Sequence, residues 1–206
     1  MLNSFYKQGI FILLCIFSSL TSAQNISVSP YEKLAYLNPA VGFGMIGPKD
    51  WFLEMKSNPF SDQAAQLFKS NNLYAVYSMY NVKDSMNQPG RFNPVMLVFF
   101  EPPSTETALN QLNAMYAKME NTSESVFEPP HEVTYNGHTW AVMATNFKVQ
   151  SLDIKQVTYL LSLPKATVHI EALTTSDLYN EQRKLFDNAI ARAVYGNQQE
   201  LLNQMH

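Results

Sequence analysis

The sequence predicts an α+β domain, an antiparallel β-sheet flanked by helices, behind a leader that is removed. Three observations predict it. Apolar strand-like runs alternate with amphipathic helical stretches, the strands after residue 130 fall into two hairpins, and a helical apolar stripe closes the chain. The leader is residues 1–23. Lys7 supplies a positive n-region, Ile10 to Phe17 (IFILLCIF) an apolar h-region, and Thr21-Ser22-Ala23 a small-residue cleavage site, which places the cut between Ala23 and Gln24. The apolar run is shorter than the roughly 20 residues that a ~30 Å hydrocarbon core requires. Residues 24–206 are therefore expected to be one extracytoplasmic domain, periplasmic or secreted, with no membrane span after cleavage and a polar tail from about residue 196.

Composition narrows the function classes. The single cysteine, Cys15, lies inside the h-region between Leu13-Leu14 and Ile16-Phe17, unlike the cysteine of a lipoprotein signal, so the mature chain carries no thiol and no disulfide. A hydrophobic content of 46% and an aromatic content of 13% supply the core instead. The formal charge is −3, and Arg91, Arg183 and Arg192 are scattered, so no nucleic-acid partner is expected. Asn25-Ile26-Ser27 and Asn121-Thr122-Ser123 match the N-glycosylation triplet, which has meaning only in a eukaryotic secretory pathway.

Each element has its own signal. Ser29-Pro30-Tyr31-Glu32 has the layout of a capping box with proline at the first helical position, predicting a short helix that ends before Pro39. Val41 to Ile46 and Trp51 to Lys56 read as strands around the turn-forming Gly47-Pro48-Lys49-Asp50. Ser61 to Ser70 reads as a helix. Leu73 to Tyr80 is apolar on both alternating faces, as an inner strand is, and Val95 to Phe100 is a strong strand. Ser104 caps a helix to about Met119, with Leu109, Leu112, Tyr116 and Met119 on one face. Asn136-Gly137 joins His131–Tyr135 to His138–Lys148, and Pro164-Lys165 joins Ile154–Leu163 to Ala166–Thr174. A last helix starts near Ser176-Asp177. Leu178, Leu185, Phe186, Ala189, Ile190, Ala193 and Val194 form its stripe, and Gly196 suits its C-terminal stop.

In this order of elements the chain resembles the PsbP-like superfamily. The similar features are Val41-Gly42-Phe43-Gly44-Met45-Ile46-Gly47-Pro48-Lys49-Asp50-Trp51, the strand Pro94 to Glu101, the helix from Ser104, and Glu128-Pro129-Pro130 entering the Asn136-Gly137 hairpin. The resemblance implies an α/β/α sandwich. It also implies mostly non-enzymatic roles, since members include an extrinsic photosystem subunit, a nuclear import factor that binds a small GTPase, and many bacterial envelope proteins. The chain looks most like the last group, and no functional residue carries over from the first two.

The candidate sites divide by geometry. Gly42-Phe43-Gly44-Met45-Ile46-Gly47 matches G-x-G-x-x-G, but Pro39 precedes it and a turn into another strand follows, where a dinucleotide site needs a helix N-terminus. Asp62, about 20 residues on, is not at a strand end. The Asn136-Gly137 turn places Tyr135 opposite His138, Val133 opposite Trp140 and His131 opposite Val142. The two histidines are then separated by about 13 Å of strand at ~3.3 Å per residue, too far to share a zinc ion. His169 and Glu171 share one strand face and could form an acid/base pair, against the plainer reading of a strand's polar side. Met79, Met96, Met115, Met119 and Met143 fall at core positions, and Asn81 to Asn93 is the one long polar loop.

No catalytic residue set, cofactor or metal site is expected from these patterns. The expected function is an exported, non-enzymatic accessory or binding protein of the cell envelope, recognising a partner protein or a small ligand. Two readings compete with it: an envelope hydrolase assembled around His169 and Glu171, and a secreted effector that acts on another cell.

Overall fold

A computed structural model describes residues 35–38, 40–48, 51–55, 76–80, 92–119, 125–149, 151–197 and 200. The leader with Ala23 and Gln24, Asn25, the 61–70 segment, residues 81–91 of the polar loop and Asn121 lie outside these residues. The described elements run β1 (Ala35–Asn38), β2 (Phe43–Ile46), β3 (Phe52–Met55), β4 (Val76–Tyr80), β5 (Val95–Glu101) and α1 (Ala108–Met119). They continue with β6 (Ser125–Tyr135), β7 (His138–Val149), β8 (Leu152–Ser162), β9 (Thr167–Thr175), α2 (Tyr179–Ala191) and β10 (Val194–Tyr195).

Seven strands form one sheet in the order β3-β4-β5-β9-β8-β7-β6, and every neighbouring pair is antiparallel. The fold is α+β, as the sequence predicts. A second sheet, β1-β2-β10, shares no strand pairing with the first among the described residues. The inner strand β5 is buried on both faces from Val95 to Phe100, which explains its unbroken apolar run.

The two faces of the large sheet are covered differently. On one, α1 lays Ala108, Leu112 and Met119 on Ala141, Met143 and Leu160. On the other, Phe186, Ala189 and Ile190 of α2 join Phe43 and Met45 of β2 over Trp140, Val142, Tyr159, Val168 and Ile170. Burying each such aliphatic or aromatic side chain contributes about 1.5–3 kcal/mol. Phe43 sits edge-on to Phe100, Trp140 and Tyr195, with ring centroids 5.9, 6.3 and 6.1 Å away, and so pins the small sheet to the large one.

Several local expectations are corrected. The helix expected to end before Pro39 is not formed at Ala35–Asn38, which is strand β1 paired from Ala35↔Ile46 to Asn38↔Phe43. Four pairings to the next strand, which begins five residues after Asn38, outweigh a capping pattern whose first residues lie outside the described region. The strands expected on either side of Gly47 do form, as β2 in the small sheet and β3 at the edge of the large one. Helix α1 starts at Ala108, three residues later than a cap at Ser104 implies, because Thr107 Oγ1 accepts from the Asn110 N–H at 3.2 Å. The last helix ends at Ala191, so Ala193 and Val194 continue its apolar stripe outside the helix. Gly196 follows β10, with φ +128°, rather than ending α2.

The hairpin expectations match. Tyr135↔His138, Val133↔Trp140 and His131↔Val142 pair around Asn136 (φ 49°) and Gly137 (φ 76°), the two left-handed residues of a type I′ turn. Strand β6 reaches back through Pro129-Pro130, which its edge position tolerates because an outer edge needs no N–H.

Candidate functional site

Antiparallel pairing of β5 with β9 places His169 opposite Phe99, Glu171 opposite Leu97 and Glu101 opposite Thr167, all on the sheet face that carries α1. His169 Nδ1 reaches Glu101 Oε1 at 2.9 Å, and Nε2 reaches Glu171 Oε1. The other oxygen of Glu171 accepts from Thr158 Oγ1 at 2.8 Å, from the neighbouring strand β8. Carboxylates only accept, so both ring nitrogens donate and His169 is an imidazolium.

Burial alone would push the His169 imidazolium toward neutrality. The charge of Glu171 and the hydrogen bonds to both carboxylates reverse this and hold its pKa up at about 10. Burial likewise raises Glu101, but the bond to His169 and its charge leave that carboxyl below its ordinary 4.5. Side-chain exposure is 14% for His169, 25% for Glu101 and 10% for Glu171, so water screens the cluster little.

The structure thus brings together the two residues singled out in the sequence and adds Glu101, which the sequence reading missed. The result is closed chemically. A general base needs a neutral imidazole with a free nitrogen, and His169 offers neither. The carboxylates lie on opposite sides of the ring and do not converge on one point, and no metal-holding group of three or more His, Cys, Asp or Glu exists among the described residues.

His131 and His138 are not brought together. His131 Nδ1 donates to Pro129 O at 3.0 Å, and Nε2 lies 3.3 Å from Glu128. His138 stacks on Tyr195, with centroids 3.6 Å apart. The G-x-G-x-x-G stretch is turn and strand; Gly42 (φ 76°) receives the Gly196 N–H on its carbonyl at 3.1 Å, and a Cβ there would stand 3.1 Å from Gly196 O. Met96, Met119 and Met143 are buried in the core.

A polar cluster ties α2 to β6. Arg183 grips Glu128 with both terminal nitrogens at 2.6 and 3.3 Å and Asp187 through Nε, while Asp187 accepts from Tyr159 OH at 2.7 Å. Every group there is taken by another.

An open groove of about 650 Å³ lies where the β6–β7 turn meets the end of α2. Its floor is Ile46, Ala191, Ala193 and Val194, and its rim is Asn136, His138, Arg192 and Tyr195. The groove is anchored from beneath, since the buried Trp140 donates Nε1–H to Tyr195 OH at 3.2 Å. Asn136 Nδ2 donates to Ala191 O at 2.6 Å. Arg192 donates through Nη2 to Gly47 O at 3.1 Å and through Nε to Asn188 O at 3.3 Å. Burial lowers the His138 pKa below its ordinary 6.5. No local sequence signal could have found this groove, whose residues come from three regions up to 149 positions apart in numbering, from Ile46 to Tyr195.

No family model matches the chain, and no curated protein sequence matches it. Solved structures do. Cyanobacterial PsbP (CyanoP) from Synechocystis sp. PCC 6803 is similar with a TM-score of 0.53 at 10% identity, over 84% of this chain and 98% of that one. LpqN of Mycobacterium tuberculosis, a protein involved in cell envelope biogenesis, is similar with a TM-score of 0.48 at 11% identity, over 81% and 85%. The likeness to CyanoP shows a PsbP-like fold, and at that identity the fold alone.

Proposed function

We propose that the protein is an exported, non-enzymatic accessory or binding protein of the cell envelope. One observation carries the non-enzymatic part: both ring nitrogens of His169 are consumed by Glu101 and Glu171. The acid/base pair on which a hydrolase reading rests is thereby a satisfied structural cluster, while an open concavity lies elsewhere, at the β6–β7 turn. Export is supported by the leader pattern of residues 1–23, and the PsbP-like fold agrees with a role in binding. Among the described residues no helix is long and apolar enough to cross a membrane.

Two measurements test this reading. Mass spectrometry of the protein from envelope and culture fractions is expected to find a mature N-terminus at Gln24; retention of Met1 to Ala23 overturns export. A broad hydrolase panel is expected to show no turnover. Activity that disappears in His169→Gln, with the fold intact, overturns the non-enzymatic reading and restores the competing hydrolase.

A further inference from the structure

The groove at the end of α2 contains an unusual pairing of fixed charge and free donor. Arg192 is held at two points by carbonyl oxygens, Asn188 O and Gly47 O, which orients the guanidinium and leaves Nη1 without a partner among the described residues. No carboxylate lies within ion-pair distance of it among the described residues. Neither ring nitrogen of His138 has a hydrogen-bond partner among them either; its contact is the stack on Tyr195.

A helix C-terminus ordinarily repels anions, because its last carbonyls are exposed. Here they are capped. Asn188 O and Ala189 O accept from the Arg192 N–H, Ile190 O from the Ala193 N–H at 3.0 Å, and Ala191 O from Asn136 Nδ2. The groove lining combines Arg192, the His138 imidazole with no hydrogen-bond partner among the described residues, and an aliphatic floor of Ile46, Ala191, Ala193 and Val194.

We propose that this groove binds a small organic monocarboxylate, its carboxylate on Arg192 Nη1 and a His138 N–H and its apolar body on the Ile46–Val194 floor. The inference rests on the reading of the chain as a binding domain and names the ligand class of that site. Among the described residues the site holds one uncompensated guanidinium, which a monoanion matches and a phosphate dianion exceeds. The volume, about 650 Å³, lies within the range of small-molecule sites.

The test is a titration of the ¹⁵N-labelled mature protein with hexanoate and benzoate, each beside its neutral amide, followed by amide and Arg Nε chemical shifts. Saturable shifts confined to Asn136, His138, Arg192 and Val194 are expected with the acids. The amides are expected to bind roughly ten- to a hundredfold more weakly, the value of one charge-assisted contact. Arg192→Gln is expected to lose the same factor while its remaining spectrum stays unchanged. Equal binding of acid and amide to the wild type overturns the proposal without requiring any variant to fold, as does unaltered affinity in a folded Arg192→Gln. Absence of saturable shifts with an empty hydrolase panel refutes the ligand class and leaves the binding reading standing, whereas recovery of a chemically converted probe refutes both.

Discussion

His169 on β9 donates from Nδ1 to Glu101 on β5 across 2.9 Å, a contact between residues 68 positions apart. With Glu171 on the other nitrogen, it makes one half-buried cation serve a half-buried and a buried carboxylate. Such a cluster is costly to break from the centre. Its net charge is negative, so the imidazolium is what keeps the two acids in place.

His169→Ala is therefore expected to destabilise the fold by about 3–5 kcal/mol, because it strands two carboxylates with little exposure. Glu101→Gln retains an acceptor for Nδ1–H and is expected to cost less, about 1–2 kcal/mol. Urea denaturation followed by tryptophan fluorescence measures both, and a loss of under 1 kcal/mol for His169→Ala would show that the cluster is not closed in solution.

The same cluster sets a pH dependence. His169 is raised in the folded state, from 6.5 to about 10, so its contribution is complete below pH 6.5 and is lost as pH rises toward 10. Glu101 is lowered from 4.5, so its contribution is complete above pH 4.5 and is lost as pH falls through its folded value. The urea midpoint is expected to be level between about pH 4.5 and 6.5 as far as this cluster decides, then to fall toward pH 10. In His169→Gln the alkaline fall from this group disappears.

The groove wall carries a part-buried hydrogen bond. Trp140 is fully buried and donates Nε1–H to Tyr195 OH. Tyr195→Phe leaves that donor without its acceptor, and a loss of about 1–3 kcal/mol is expected in equilibrium unfolding. Trp140 fluorescence is expected to shift with it.

Gly137 tests the turn alone. A Cβ there would meet nothing within 4 Å, so any cost of Gly137→Ala comes from φ 76°. About 1 kcal/mol is expected, with Gly137→Asn costing less because asparagine tolerates the left-handed region. Thermal melts of the two variants make the comparison.

Local chemistry explains what was legible beforehand. The Asn136-Gly137 pair sets a two-residue turn, and the whole register from Tyr135↔His138 to His131↔Val142 follows from it by counting. What was not legible depended on which strands pair. Ala35–Asn38 is a strand because β2 is beside it, and Val194–Tyr195 leaves the helical stripe for the same partner. Thr107 took the capping role from Ser104, whose oxygen instead accepts from the Glu106 N–H at 3.1 Å. His169 and Glu171 were visible as neighbours on one strand face, but the residue that closes their chemistry, Glu101, comes from a strand whose place beside β9 only the sheet order reveals.

The most direct test of the account is a pH titration of the His169 ring nitrogens by long-range ¹H–¹⁵N NMR. Both nitrogens are predicted to stay protonated through neutral pH, with deprotonation only near pH 10. A neutral His169 tautomer titrating near 6.5 would contradict the closed cluster and return His169 and Glu171 to the role of an available acid/base pair.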